Sequence, residues 1–162
     1  MIRSFNVSDT KELLDIYNYY VLNSIVTFDD EALSLEAFED KITRINADYP
    51  FIVFEDEENN EILGYAYGSK WRPKPAYKHT VESTVYVKHG VLGKQIGTKL
   101  YRELLSQLKE QNYHIVLGGL TLPNDASVKL HEKFGFNQVA HFKEVGLKFG
   151  KWLDVGFWQL RF

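Results

Sequence analysis

The stretch Thr80–Leu105, TVESTVYVKHGVLGKQIGTKLYRELL, joins a strand, a glycine-rich loop and a helix in that order. The residues from Thr80 to Val87 are mostly β-branched or aromatic, which predicts a strand. Leu100, Leu104 and Leu108 recur at the spacing of one buried helical face. Because the first amides of a helix lack internal partners, a glycine-rich loop before them can bind phosphate groups. The stretch therefore predicts a phosphate site at the start of a helix.

The rest of the chain predicts an α/β order of elements on both sides of this stretch. Upstream, a short strand precedes two helices, with Ser8 or Asp9 as the cap of the first and Ser34 as the cap of the second. Downstream, a buried strand, a helix capped by Asn124 and two terminal strands follow. The predicted order is β, α, α, β, β, β, α, β, α, β, β. Since no repeat or linker interrupts it, residues 1–162 are expected to form a single domain.

Composition excludes several classes of function. The chain of 162 residues has a formal charge of −3, so we expect no nucleic-acid partner. It has no cysteine, which excludes disulfides, thiolate metal sites and a cysteine nucleophile, and its five histidines show no ligand spacing, so no metal is expected. No apolar run reaches the about 18 residues of a membrane span. We therefore expect a cytoplasmic protein with no membrane partner.

The loop matches neither of two common phosphate-binding motifs. The P-loop pattern requires a glycine where Lys88 stands and a serine or threonine where Gln95 stands. The dinucleotide-binding pattern requires two glycines separated by one residue, and the loop has no such pair. The phosphate group must therefore be identified from other parts of the chain.

Three further segments resemble one known family in the same order along the chain. They are WRPKPAYKHTVESTVYV at 71–87, LPNDASVKLHEKFGF at 122–136 and VGLKFGKWLDVGFWQ at 145–159. They are similar to segments of the phosphinothricin and methionine sulfoximine acetyltransferase branch of the GNAT superfamily, and the likeness covers essentially the whole chain. It implies a GNAT fold, an α/β structure with a mixed, mostly antiparallel central sheet of about seven strands and flanking helices.

The resemblance also implies a reaction and a co-substrate. The protein is expected to transfer the acetyl group of acetyl-CoA to the amino group of a small amino-acid-like acceptor by direct attack in a ternary complex. Candidate acceptors are phosphinothricin, methionine sulfoximine or sulfone, and L-amino acids. The cofactor-binding residues that the resemblance implies are Val85, Tyr86, Val87, Gly93, Lys94, Gln95, Ile96, Gly97, Thr98 and Asn124.

Two positions of the pyrophosphate loop depart from the family pattern [RQ]-x-x-G-x-G/A. Leu92 stands where arginine or glutamine is usual, and Gln95 stands where glycine is usual. A backbone amide remains at Gln95, but a side chain limits close approach if the position needs a positive φ. We expect an intact acetyl-CoA site of reduced affinity. For Asn124, a hydrogen bond to the cofactor and a helix cap are both open.

The resemblance implies two catalytic residues, Glu82 and His131. Glu82 is expected to accept the proton of the acceptor ammonium, directly or through water, although an arbitrary strand glutamate usually faces solvent. His131 is expected either to protonate the leaving thiolate or to pack as a helix residue under the cofactor. The substrate-binding residues that the resemblance implies are Arg72, Pro73, Lys74, Glu82, Ser83 and Thr84. Arg72 offers a planar fork for the acceptor carboxylate.

Alternatives remain open at this stage. The acceptor could be another amine, such as a polyamine, an aminoglycoside or a protein N-terminus, and Arg72 argues against polycations. A CoA-binding module without catalysis is a further alternative, because of Leu92 and Gln95. The aromatic residues of the last strands, Trp152, Phe157, Trp158 and Phe162, form either a homodimer face or part of the core.

Overall fold

The computed structural model describes residues 1–91 and 94–162, so the predicted cofactor residue Gly93 and its neighbour Leu92 lie outside the described residues. In chain order the strands and α-helices are β1 Ile2–Ser4, α1 Thr10–Asn23, α2 Leu35–Asp48, β2 Phe51–Glu55, β3 Ile62–Lys70, β4 Thr80–Val87, α3 Ile96–Glu110, β5 Ile115–Leu122, α4 Asp125–Lys133, β6 Asn137–Lys148 and β7 Lys151–Arg161. Short 3-10 helices occupy Val7–Asp9 and Pro75–Tyr77. The predicted order of strands and α-helices is confirmed.

The strands form one sheet of seven in the order β1-β2-β3-β4-β5-β7-β6. Neighbours are antiparallel except β4 and β5, which run parallel, and this confirms the predicted mixed, mostly antiparallel sheet. The parallel pair is in register only from Thr80 to Glu82, opposite Ile115 to Leu117. Beyond these residues the facing backbone edges of β4 and β5 have no partner in each other. The sheet therefore opens at its centre.

Helices pack on both faces of the sheet. On one face α3 buries Leu100, Leu104 and Leu108 completely, as their spacing predicted. On the other face α1 and α2 bury side chains such as Leu13 and Phe38 against β2 and β3. Removal of these side chains from water is the main favourable term in folding. Among the helices of the described residues, none has both the length and the apolar character that a membrane span requires.

The starts of the first two helices test the cap predictions. The Ser34 hydroxyl accepts a hydrogen bond from a backbone amide in the first turn of α2 at 3.2 Å, so this prediction is confirmed. Asp9, one of the two predicted residues, occupies the N-cap position of α1, but its side chain makes no capping hydrogen bond to this helix. The Asn6 side chain accepts from the Ser8 amide at 3.0 Å and begins the 3-10 helix that leads into α1. The Asp9 carboxylate instead binds the Arg3 guanidinium at 2.8 and 2.9 Å.

The hairpin of β6 and β7 ends the chain. Its turn residues Phe149 and Gly150 have left-handed φ values of +52° and +71°, which a tight two-residue hairpin turn requires. The aromatic residues predicted here take different positions. Trp158 is only 3% exposed and belongs to the core, whereas Trp152 is 63% exposed. The other two, Phe157 and Phe162, are half-buried.

Candidate active site

A cavity of about 450 Å³ lies between β4 and β5 where the two strands lose their pairing. Its walls also include the start of α3, one side of α4 and the segment that follows α1. Nine of the predicted site residues line it, namely Glu82, Ser83, Thr84, Val85, Tyr86, Val87, Gly97, Asn124 and His131. A concave site of this size fits a small molecule or part of a cofactor.

Glu82 is half-buried in the cavity wall on the sheet face that carries α1 and α2. Among the described residues its carboxylate has no hydrogen-bond or ion-pair partner, and burial raises its pKa above the ordinary value. Its Oε1 atom lies 3.2 Å from the position that a Cβ on Gly119 would occupy. An unpaired carboxylate in such a place attracts an ammonium group and can accept its proton.

His131 lies on α4 at the other side of the cavity and is only 3% exposed. Its Nδ1 donates to the Ser127 carbonyl at 2.7 Å, because a carbonyl can only accept. Its Nε2 is buried without a partner among the described residues, and burial lowers the pKa of the ring. The ring is therefore neutral near neutral pH, with a free lone pair on Nε2. The predicted role as general acid stays a prediction, and it would require Nε2 to gain a proton first.

Two glycines of β5 make room for these side chains, and sequence reasoning missed both. A Cβ on Gly118 would lie 2.3 Å from Nε2 of His131, so the imidazole fills the space of an absent side chain. A Cβ on Gly119 would lie 2.9 Å from the Phe157 ring, next to Glu82 on the opposite face. The signal is the pair of adjacent glycines in a buried strand, since strand glycines mark close approaches.

Ser83 faces α3, opposite to its neighbour Glu82. Its hydroxyl donates to the Leu117 carbonyl at 3.2 Å and lies 2.6 Å from the Tyr101 hydroxyl, which donates to it in turn. The bond to Leu117 joins β4 to β5 where the strands separate, and the bond from Tyr101 joins β4 to α3. The Ser83 hydroxyl is thus committed to the protein, whereas Thr84 lies in the cavity wall on the side of Glu82.

The predicted substrate residues Arg72, Pro73 and Lys74 are exposed and do not line the cavity. The Arg72 guanidinium lies over the Trp71 ring at 5.1 Å, and Trp71 packs edge-on against Phe157 at 5.3 Å. Because Phe157 lies beside Gly119, as Glu82 does, this aromatic pair connects Arg72 to the rim of the cavity near the carboxylate. The predicted role of Arg72, Pro73 and Lys74 in substrate binding stays a prediction.

The described part of the predicted pyrophosphate loop begins at Lys94. The Lys94 ammonium donates to the Asp56 carboxylate at 2.7 Å, so its charge is paired in the free protein. Gln95 has a φ of +51° and occupies the N-cap position of α3, where its side chain makes no capping hydrogen bond. The position that the family pattern gives to glycine therefore does adopt the left-handed conformation that most side chains resist. This strain explains the usual glycine in physical terms.

We expect Gln95→Gly to improve acetyl-CoA binding. The left-handed conformation costs a non-glycine residue about 1 to 2 kcal/mol, and the added chain entropy of glycine offsets part of the relief, so the free energy of unfolding should change by less than about 1 kcal/mol. The dissociation constant for acetyl-CoA, measured by calorimetry, should fall because a side chain no longer limits approach to the loop. Gln95→Ala is the matched control, since it keeps the strain. Equal weakening by both variants would contradict this account.

The remaining predicted cofactor residues lie at the start of α3 and of α4. The Ile96 side chain is buried in the core, and Thr98 does not line the cavity. Gly97 lines the cavity in the first turn of α3, where backbone amides are free. The Asn124 side-chain oxygen accepts from the Ser127 amide at 3.2 Å, so the capping role is confirmed. The predicted bond from Asn124 to the cofactor stays a prediction.

The edge of β4 beyond Glu82 offers backbone groups to the cavity. Val85, Tyr86 and Val87 pair with β3 on one side only. The Tyr20 hydroxyl donates to the Val87 carbonyl at 2.5 Å, a contact from α1 that sequence reasoning missed. An unpaired strand edge binds extended chains by backbone hydrogen bonds. Within the described ranges, no group of three or more histidine, aspartate or glutamate side chains is placed to hold a metal ion.

Comparisons with known proteins agree with this geometry. Residues 2–156 match the acetyltransferase (GNAT) domain. The chain is 42% identical to the phosphinothricin N-acetyltransferase of Streptomyces coelicolor, over 93% of this chain and 90% of that protein. It is 36% identical to the L-methionine sulfoximine/L-methionine sulfone acetyltransferase of Pseudomonas aeruginosa, over 98% and 92%. It is 35% identical to the L-amino acid N-acyltransferase MnaT of Escherichia coli, over 99% and 92%.

Solved structures give the same result. The ribosomal-protein-alanine N-acetyltransferase of Brucella melitensis superimposes with a TM-score of 0.96 at 34% identity, over 100% of this chain and 99% of that one. The phosphinothricin acetyltransferase of Sinorhizobium meliloti in complex with AcCoA gives 0.95 at 29% identity, over 99% and 87%. The predicted resemblance is confirmed, and the chain belongs to the GNAT acetyltransferase family.

Proposed function

We propose that the protein transfers the acetyl group of acetyl-CoA to the α-amino group of a small amino-acid-like acceptor. The observation that carries the proposal is the unpartnered Glu82 carboxylate in a cavity between two open strand edges. Amine attack on a thioester needs a neutral amine, and an α-amino group is partly protonated at neutral pH. The names of the relatives, which act on phosphinothricin, methionine sulfoximine or L-amino acids, support this acceptor class.

Acetyl-CoA would bind along the open edge of β4 and at the start of α3. The backbone groups of Val85 and Val87, which alternate with those of Tyr86 and face the open edge, would pair with the extended pantetheine arm, and Tyr86 would line it. Gly97 would present an amide to the pyrophosphate. The Val87 carbonyl already accepts from Tyr20, so the arm would pair with the groups nearer to Glu82. The AcCoA-bound relative from Sinorhizobium meliloti supports the identity of the co-substrate.

The reaction would proceed by direct attack without a covalent enzyme intermediate. Glu82 would accept a proton from the acceptor ammonium, which leaves a neutral amine to attack the thioester carbonyl. A backbone amide of β4 would stabilise the negative charge that develops on the carbonyl oxygen. As the C–S bond of the thioester breaks, the free Nε2 of the neutral His131 would take the remaining proton from the attacking nitrogen and pass it to the leaving CoA thiolate. Arg72 would bind the acceptor carboxylate from the rim.

Release of free CoA thiol from acetyl-CoA, measured with a panel of amines, tests the proposal. We expect turnover with methionine sulfoximine, methionine sulfone, phosphinothricin or L-amino acids, and none with spermidine or an aminoglycoside. A peptide with an N-terminal alanine belongs in the panel because the Brucella relative is named for such an acceptor. Turnover with the peptide alone would overturn the proposed acceptor class. Cofactor binding without turnover on any amine would favour a non-catalytic module.

A homodimer through exposed apolar side chains of the terminal hairpin is part of the proposal, as is a cytoplasmic location. Strand β6 is an edge of the sheet, and unpaired edges with apolar side chains favour association. Six large apolar side chains of β6, β7 and their turn are at least half exposed, namely Val139, Phe142, Val145, Leu147, Phe149 and Trp152. The buried core residue Trp158 has no part in the proposed dimer contact.

The double substitution Leu147→Glu with Trp152→Glu is expected to convert the dimer to a monomer, because two charges would have to be buried at the contact. Sedimentation velocity at micromolar protein measures the change. Leu22→Glu, at an equally exposed apolar residue of α1, is the control and should leave the dimer intact. A wild-type protein that sediments as a monomer, or a double variant that stays a dimer, would contradict this interface.

A further inference from the structure

Lys148, at the end of β6, has a buried ammonium group. The residue is only 3% exposed, and its Nζ donates to two backbone carbonyls, those of Ser24 and Thr27, each at 2.8 Å. Both carbonyls belong to the segment that follows α1. The Lys148 ammonium thus holds the backbone of residues 24–27 in a turn, although it is far from them in the sequence.

The burial of this charge is costly and calls for a reason. Among the described residues no carboxylate forms an ion pair with Lys148, and burial lowers its pKa, although Asp29 and Asp30 counteract this. Burying an ammonium group is expensive unless hydrogen bonds compensate it, and an apolar side chain would fill the same space at less cost. The two carbonyl contacts are what an apolar side chain could not provide.

A second contact ties the same segment to the same hairpin. A Cβ on Gly146 would lie 2.3 Å from the Phe28 ring, so the aromatic ring packs directly on the glycine backbone. Gly146 is two positions before Lys148 on β6. The hairpin therefore holds the segment by a polar contact at Thr27 and an apolar contact at Phe28.

The segment held in this way forms part of the cavity wall. Val26 and Thr27 line the cavity together with Glu82 and Thr84. The Thr27 hydroxyl lies 3.3 Å from the Tyr17 hydroxyl and accepts from the Asp29 amide at 3.3 Å. The Tyr17 hydroxyl in turn donates to the Asp29 carboxylate. A shift of Thr27 would therefore disturb the wall that faces the carboxylate of Glu82.

We propose that Lys148 is a positioning residue for the acceptor side of the cavity, acting through the Ser24 and Thr27 carbonyls on the Val26 and Thr27 wall. Lys148 itself does not line the cavity, so it would act on the cavity through residues 24–30. This inference rests on the proposed function for its kinetic consequence and on the geometry alone for its structural consequence.

The test compares Lys148→Met with Lys151→Met. Lys151 is the register partner of Lys148 across the hairpin and is exposed, so it is a matched control. We expect the KM for the amino-acid acceptor to rise about tenfold in Lys148→Met, since small misplacements of positioning groups have effects of this order or larger. The KM for acetyl-CoA should stay within about twofold of the wild-type value, because the predicted cofactor groups lie on β4 and at the starts of α3 and α4.

Hydrogen exchange provides a readout that needs no activity. Amides of residues 24–30 should exchange faster in Lys148→Met than in the wild type or Lys151→Met, while those of α3 should not change. Unchanged exchange in this segment would overturn the inference even if the enzyme is active. Faster exchange in Lys148→Met, together with no turnover in the wild type, would contradict the proposed function. It would still support the inference that Lys148 holds residues 24–30.

Gly146→Ala supplies an independent variant that keeps the charge. The added methyl group would displace the Phe28 ring, and we expect the same selective rise of the acceptor KM. In a Phe28→Ala background the added methyl should have little further effect, because the contact is gone. A parallel rise of both KM values in Lys148→Met and Gly146→Ala, with a lower Tm, would show a general loss of stability and would overturn the positioning role.

Discussion

Glu82→Gln is expected to lower kcat by a factor of about 10² to 10⁴, the usual contribution of a positioned general base. Glutamine keeps the size of the side chain and removes the ability to accept a proton. The change should leave acetyl-CoA affinity unaltered, because we propose that Glu82 contacts the acceptor and not the cofactor. Steady-state kinetics with a saturating amino-acid acceptor measures it. Glu36→Gln, at an exposed glutamate of α2, is the control and should retain wild-type rates.

The pH dependence gives the same residue a second test. Burial raises the pKa of Glu82, so the wild-type kcat should fall as the pH drops through that raised value. The low-pH limb of the profile should disappear in Glu82→Gln. A variant that keeps both full activity and the wild-type profile would remove Glu82 from the mechanism.

The stability of the folded protein should depend on pH in the opposite sense to kcat. A carboxyl group with a raised folded-state pKa binds its proton more tightly in the folded protein than in the unfolded chain. Its contribution to stability is therefore present in acid and lost as the pH rises through the folded-state pKa. We expect Glu82→Gln to have a higher Tm than the wild type at neutral pH, and the difference should vanish in acid. A half-buried, unpaired carboxylate kept at a cost to stability is typical of a functional site.

Gly118→Ala is the second substitution with a large expected effect. The new Cβ would lie 2.3 Å from Nε2 and 2.6 Å from Cδ2 of His131, which is closer than any normal contact. The imidazole cannot move freely because Tyr101 and Phe136 pack on it at 5.0 and 5.1 Å. Overpacking of this kind costs about 1 to 3 kcal/mol, so Tm should fall by roughly 2 to 10 °C in a chain of this size.

Two further variants separate the clash from other causes. Among the described residues, the methyl group that Gly97→Ala adds meets only the Val87 and Leu130 side chains, at 3.5 and 3.8 Å, so the Tm of this variant should not fall. In a His131→Ala background, Gly118→Ala should cost much less than in the wild type, since the clashing ring is absent. An undiminished loss of Tm in that background would contradict the assignment of the clash to His131.

The order of the elements followed from local patterns. The leucine spacing of α3, the Ser34 cap and the β-branched run of β4 depend on residues within a few positions of each other, and each is confirmed. The resemblance to a known family identified the cavity-lining residues Glu82 and His131. The roles of both stay predictions until the variants are measured.

What sequence reasoning missed depends on contacts between distant residues. Lys148 and Ser24 are 124 residues apart, and no periodicity links a buried ammonium to a carbonyl on another element. The space that Gly118 leaves for His131 is visible only once α4 packs on β5. The missing capping bond of Asp9 to α1 has a different reason, because its carboxylate accepts from the Arg3 guanidinium and from the Asn6 amide.

The single parallel pairing of the sheet has a mechanical consequence. Three residue pairs join β4 to β5, whereas seven join β3 to β4 and eight join β5 to β7. The backbone thus consists of two well-bonded half-sheets that meet at a short seam. A cofactor chain bound along the open edges would form hydrogen bonds to the strands at this seam, where the sheet has the fewest pairs between neighbouring strands. The bound cofactor would then hold the two half-sheets together more rigidly, and the protein without cofactor would be more flexible at the seam.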